Sequence, residues 1–225
     1  MKGNVIVAEE IGFKFYPTFD VISGRIVCLD VYPDDEWIWV EEDEALHWRI
    51  LESAFSRARF WLDQVAPCDR LAFALAPCLT LQPNLPEWLV NLADSRQLET
   101  SQIKLHLGAT DVISRIASDQ LVSELYEGGF QVSVASFISD DSQFSILSHP
   151  HIQTIVCDSH ALDGLAQCGI KRRLMSGLAD LCKLLGKDLI VRGVADERNL
   201  KLMSGLGVRY FQGRCVGSNW RMAGL

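Results

Sequence analysis

Few side chains in this sequence stand at the spacings that chemistry requires. His149 and His151 flank Pro150, which could present two imidazoles to a metal or simply turn a surface loop. The seven cysteines are scattered and form no C-x-x-C pair. Neither a disulfide framework nor a tetrahedral zinc site is therefore expected, and the thiols read as reduced and mostly buried. His47 and Cys182 lie in helical stretches without a spaced partner. No G-x-S-x-G elbow, Walker loop or dinucleotide fingerprint occurs. Trp37 and Trp39 would share one side of a strand, either as anchors for another protein or as ordinary core at the end of the fold. Lys171-Arg172-Arg173 reads as a solvated face.

The elements that would position these residues are framed by composition. The chain has 225 residues, 48% hydrophobic and 22% charged, which predicts one globular domain over residues 1–225. The net charge of −8 argues against nucleic acid and anionic membrane as partners. The first residues hold too short an apolar run for a secretory leader, and no stretch approaches the length of a membrane span. A cytoplasmic protein is expected, and the initial Met and the lack of a Gly/Ser/Pro-rich linker point to a complete one.

Residues 13–19 and 25–32 pattern as strands joined by a turn at Ser23-Gly24. A helix is predicted over residues 44–65, with Leu51, Ala54, Phe55, Ala58, Leu62 and Val65 on one face and Pro67 as its stop. Strands at residues 71–76, 103–107, 130–136, 152–157, 189–192 and 209–211 then alternate with helices at residues 85–98, 111–126, 142–147, 170–185 and 196–206. Such repetition makes right-handed crossovers and a parallel sheet. This number of units in so short a chain fits a barrel better than an open sheet, and in a barrel the chemistry sits where strands end.

The stretch Leu189-Ile-Val-Arg-Gly-Val-Ala-Asp-Glu-Arg-Asn-Leu200 with Gly207-Val-Arg-Tyr-Phe-Gln-Gly213 resembles V-I-A-E-G-V-E-T-x-x-Q-L … G-x-D-x-x-Q-G-Y of the EAL domain family. The hairpin Phe15-Tyr-Pro-Thr-Phe-Asp-Val-Ile-Ser-Gly-Arg-Ile-Val27 is similar to that family's Y-Q-P-I-V-D-x-x-T-G-x-I-V. The resemblance implies an α/β fold, a modified (β/α)8 TIM-type barrel whose first strand runs antiparallel. It also implies a Mg²⁺- or Mn²⁺-dependent phosphodiesterase that opens cyclic di-GMP. Such cations take oxygen ligands and activate water, so a ring of carboxylates is the chemical requirement.

The positions that match the family's ring depart from it. The Glu of E-A-L falls on Asp30, the Asn of V-N-L-S on Ala74, and the two Glu of L-E-I-T-E on His106 and Ala109. The acids of D-D-F-G fall on Ala135 and Ser136, the Lys of L-K-I-D on Val156 and its Asp on Asp158. The Glu of A-E-G-V falls on Arg192, and that of the following E-T on Ala195. Only Asp30 and Asp158 keep carboxylates, so catalysis is not expected and no metal or cofactor is predicted. Arg192 should pair with Asp30 or Asp158 where the cation would sit.

The family's nucleotide-contacting Gln and Arg fall on Tyr16 and Asp34, which argues against tight cyclic di-GMP binding. Tyr16, Arg192 and Gln212 remain as ligand-binding candidates, with His106 a further surface for stacking. The alternative uses of the fold are a non-catalytic cyclic di-GMP receptor and a barrel enzyme with chemistry relocated around Asp30, His106, Asp158 and Arg192.

Some members of the family with degenerate sites act as regulators by binding other proteins, and the resemblance implies that class here, with motility, biofilm or virulence control as the expected setting. A protein partner is expected, and a second copy of the chain is one candidate. Two surfaces suggest themselves. One is the Trp37/Trp39 segment, because seven of the 29 acids lie in residues 34–44 without a Lys or Arg, while the rest of the chain is nearly balanced. The other is the helix with Ile170, Leu174 and Leu178 on one stripe, continued by Leu181 and Leu185, most of which is expected to pack on the barrel.

Overall fold

The computed structural model describes residues 11–34, 43–65, 68, 70–108, 116–137, 144–158 and 164–217. Eight strands close into one barrel in chain order. They are β1 (Phe13–Asp20), β2 (Arg25–Pro33), β3 (Leu71–Ala74), β4 (Ile103–Gly108), β5 (Gln131–Phe137), β6 (Ile152–Cys157), β7 (Asp188–Val191) and β8 (Tyr210–Phe211). β1 runs antiparallel to both neighbours, β2 and β8, and every other pair is parallel. The expected modified (β/α)8 barrel is the fold found.

The helices are α1 (Glu44–Phe60), α2 (Leu85–Ser95), α3 (Ile116–Glu127), α4 (Phe144–Ser148), α5 (Gly169–Leu184), α6 (Glu197–Gly205) and α7 (Arg214–Gly217). The parallel strands are buried on both faces because helices cover the outside and the lumen is filled. Asp43 caps α1 and Asp196 caps α6, each accepting from a backbone N–H of the first turn.

Element ends depart from the periodicity where backbone geometry decides. α1 gives way to a π-helical turn over Trp61–Val65, whose ring at Trp61 packs edge-on against Phe13 and Phe15. Pro67 lies outside the described residues. α2 stops at Ser95, not at residue 98, because Gln97 takes a φ of 55° and Leu98 N–H turns back to Ala93 O. β3 ends at Ala74, although Leu75 N–H still bonds His106 O on β4. β7 ends one residue before Arg192, and the 111 end of the third predicted helix lies outside the described residues.

The two-residue β8 needs help to hold β1. Asp20, buried at the end of β1, faces Tyr210 and receives Arg209 Nε at 2.9 Å and Nη2 at 2.7 Å. That bidentate grip holds the Asp20 carboxyl well below the usual carboxylate range. Arg209→Ala is expected to cost about 1–3 kcal/mol in urea denaturation at neutral pH. A depressed carboxyl contributes stability above its unfolded value and loses it as pH falls through the folded one. The gap between Asp20→Asn and the parent chain should therefore shrink below pH of about 4.

Candidate functional site

Polar side chains run across the barrel lumen, placed there by strand alternation. The register sets Tyr16 against Asp30, Ala74 against His106, His106 against Ser133 and Ser133 against Thr154. Asp30 on β2 and His106 on β4 are separated by β3, which carries Ala72 and Ala74 between them. Those short side chains leave the path open, and His106 Nε2 lies 2.9 Å from Asp30 Oδ2. The other ring nitrogen, Nδ1, meets Ser133 Oγ.

Arg192 approaches from the opposite side. Its backbone N–H donates to Cys157 O just past the strand ends. Its Nη2 donates to Asp30 Oδ2 at 2.7 Å, and its Nε donates to Gln212 Oε1 at 3.0 Å. Gln212 in turn donates from Nε2 to Thr18 Oγ1 at 2.7 Å. The guanidinium carbon stands 5.8 Å from the Tyr32 ring centroid. Gly213 lets this turn close, because a Cβ there would strike the Val194 backbone.

Charge and burial fix the protonation states. Asp30 is 1% exposed, and burial alone would raise its carboxyl, but His106 and the Arg192 guanidinium outweigh it and hold it well below the usual range. Burial lowers the His106 imidazole against the pull of Asp30. His106 Nε2 faces the ionised Asp30 carboxylate, while Nδ1 meets Ser133 Oγ, whose single hydroxyl proton is donated to Leu105 O. Burial pushes the Tyr32 phenol up to about 12.

The donor set does not fit a divalent cation. Asp30 Oδ2 is already shared by a guanidinium and an imidazole, and both His106 nitrogens are engaged. Among the described residues Asp30 Oδ1 is one of two buried side-chain acceptors left without a partner, the other being Gln102 Oε1. Burial works against the Arg192 charge, but Asp30, and after it Tyr32 and Asp158, outweigh it and hold the guanidinium protonated. Ala74, Ala135 and Val156 bring no ligand atom. The side chain of Ser136 and all of Ala109 lie outside the described residues.

The cluster also has the make-up of a nucleophilic triad, Ser133 to His106 to Asp30. Ser133 is wholly buried, and its hydroxyl donates to Leu105 O at 3.1 Å.

The structure brings Asp30, His106, Arg192 and Gln212 together, and Arg192 pairs with Asp30, one of the two partners expected from the sequence. Tyr16 is 46% exposed at the mouth, edge-on to Tyr32. Asp34 is exposed, and its backbone carbonyl accepts from Lys14. Thr18, Ser133, Lys104 and Thr154 were not singled out from the sequence. All are buried, and Lys104 Nζ donates to Thr154 Oγ1 at 3.1 Å. Their signal was a polar residue inside an apolar strand, two positions from another, as in Lys104 and His106.

His149 and His151 meet edge-on with ring centroids 5.7 Å apart, the His151 backbone N–H donates to His149 Nδ1, and each ring has a further partner. His151 stacks on Tyr126 and meets Ser123 Oγ, while His149 lies 3.8 Å from Asp119. Trp37 and Trp39 lie outside the described residues. The expectation that most of the Ile170–Leu174–Leu178 stripe packs on the barrel is corrected. α5 buries Met175, Ala179 and Cys182 instead, so Leu178 and Leu181 rest only partly against the core, and Ile170 and Leu174 are exposed.

A closed barrel with one antiparallel strand and a polar cluster in its lumen defines a variant of the (β/α)8 class. The EAL domain profile matches residues 42–219, and the chain belongs to the EAL domain family. It is 21% identical over 174 residues to the probable cyclic di-GMP phosphodiesterase PdeA of Escherichia coli K12, covering 75% of this chain and 23% of that protein. The chain thus spans about a quarter of that curated relative. Its fold overlays on the PaMucR phosphodiesterase in a c-di-GMP complex with a TM-score of 0.81 at 17% identity, covering 96% and 93% of the two chains. It overlays on the EAL domain of Mycobacterium smegmatis DcpA with a TM-score of 0.78 at 18% identity, covering 90% of each. The first of these overlays leaves too little of the chain aside to omit the β1–β2 hairpin, which the family profile does not reach.

Removing one partner from the buried pair leaves the other unpaired, so the costs of the two single removals should not add. Arg192→Met strands the Asp30 carboxylate and is expected to cost about 3 kcal/mol. The double variant Asp30→Asn, Arg192→Met should cost less than the sum of the singles, with a coupling of about 1–3 kcal/mol. Chemical denaturation of the four chains measures both quantities.

Proposed function

We propose that this chain is a catalytically inactive EAL domain that regulates bacterial signalling through contact with another protein. The observation that carries this reading is the Arg192–Asp30 pair. A guanidinium that cannot lose its proton neutralises the one carboxylate left at the E-A-L position, in the space that a cation would need. In-line phosphodiester cleavage relies on metal clamping of the attacking and leaving oxygens, and two isolated carboxylates supply no such clamp.

The receptor reading draws on relatives solved with c-di-GMP, such as PaMucR. Against it, Gln212 is committed to Arg192 and Thr18, and Asp34 replaces the family's Arg with a charge that repels phosphate. The relocated-enzyme reading draws on Ser133, His106 and Asp30, whose burial denies access.

Titration calorimetry with cyclic di-GMP, with and without Mg²⁺ or Mn²⁺, separates these readings. The expected outcome is no binding in the micromolar range and no linear dinucleotide. Micromolar binding without turnover would replace the regulator with the receptor, and measurable turnover would sink both.

A further inference from the structure

Arg192 answers one buried charge of the lumen and leaves another. Lys104 on β4 is 5% exposed, and its Nζ donates to the Thr154 hydroxyl at 3.1 Å. An ammonium carries three donors, and among the described residues Lys104 forms no ion pair. A buried charge is costly unless it is paired. The buried acids of the lumen are already taken, Asp30 by Arg192 and His106, and Asp20 by Arg209.

Lys104 lies two residues before His106 on the same face of β4, nearer the end at which the parallel strands begin. β3 sets only the methyl group of Ala72 between it and β2. Arg70 leads into β3 two residues before Ala72 and is exposed on the lumen side of that strand line. Its charge is felt by the Cys28 thiol of β2 and by the Tyr210 phenol of β8, which lie on different walls. Arg70 therefore leans across the mouth. Lys104 acts on the same Cys28 thiol, so both cations serve one end of the lumen.

Burial raises the Tyr210 phenol, which thus keeps its proton and brings an O–H donor to this mouth. The Arg209 guanidinium carbon stands 5.0 Å from its ring centroid. Asp188, exposed at the start of β7, is the opposing charge, felt by both Arg209 and Tyr210. With Asp20 and Arg209 cancelling, Lys104 and Arg70 against Asp188 leave the mouth positive, although the chain carries −8.

We propose that this N-terminal mouth of the barrel binds a small inorganic oxyanion, paired with the Lys104 ammonium and flanked by Arg70 and the Tyr210 hydroxyl. An ammonium, a guanidinium fork and a hydroxyl suit an ion with several acceptor oxygens, and the depth of Lys104 selects one of phosphate size. The site stands apart from the regulator reading, and either can fail without the other.

The test titrates the full chain with inorganic phosphate by calorimetry, at an ionic strength held constant with chloride. Saturable binding is expected, weakened at least about tenfold in Lys104→Met. Arg70→Gln should weaken it and Asp188→Asn should tighten it, since one removes an attraction and the other a repulsion. Arg70 and Asp188 are exposed, so these two variants decide the matter even where Lys104→Met does not fold, with circular dichroism verifying each chain. No saturable binding by the parent chain, unchanged affinity in a folded Lys104→Met, or equal affinities in Arg70→Gln and Asp188→Asn would overturn the proposal. So would a phosphate-induced rise in melting temperature that is the same in all four chains, which marks only the general effect of an excluded salt.

Discussion

A carboxylate in the lumen of a barrel must be neutralised, and in this chain Arg192 does it. The Asp30–Arg192 contact ties the middle of β2 to the loop after β7, across the interior. The rest of the lumen is arranged around that contact. β3 contributes only alanines at the facing positions, so His106 reaches Asp30 from the next strand. Gln212 is drawn to Arg192 and passes the connection to Thr18 on β1. Six strands or strand ends thus share one hydrogen-bonded line. Broken at Arg192, it would leave a buried charge with a single neutral partner.

The fold was legible because alternation of buried strands with amphipathic helices repeats through most of the chain. What escaped was set by single backbone torsions or by packing. Gln97 in a left-handed conformation ends α2 three residues early, and the π-helical turn at Trp61 follows from fitting an indole against Phe13 and Phe15. Periodicity contains no term for either. The pairing of Arg192 with Asp30 was legible from charge alone, since an Arg after an apolar strand and an Asp within another have few other ways to be satisfied. The chain of neutral partners was harder to see. Ser133, Thr154 and Thr18 look like tolerated small polar residues until the closed sheet turns them inward.

Charge is distributed unevenly along the sequence. The acids concentrate in residues 34–44, and α5 is a basic island on an acidic chain. Helix propensity does not require the outer leucines of α5, and exposing them costs solubility without adding to the core. The sequence nevertheless keeps apolar residues at Ile170, Leu174 and Leu184. A solvated helix would ordinarily carry charge at those positions.

The two ends of the lumen bear on one another. Arg192 ties β2 and the ends of β7 and β8 to one another through protein atoms. At the end where the parallel strands begin, Lys104 meets a neutral hydroxyl instead of a carboxylate. Thr154 lies in register with Ser133, and Ser133 with His106, so the partner of Lys104 adjoins the line around Asp30. Burial first, and then Arg192 and Lys104, lower the His106 imidazole against the pull of Asp30. In the proposed reading an oxyanion at Lys104 cancels one of those cations and so raises the proton affinity of His106. Linkage requires the reverse as well, that a proton on His106 favours the anion. Occupancy of one mouth is then felt at the other through the charge balance of the lumen, with no movement of either end.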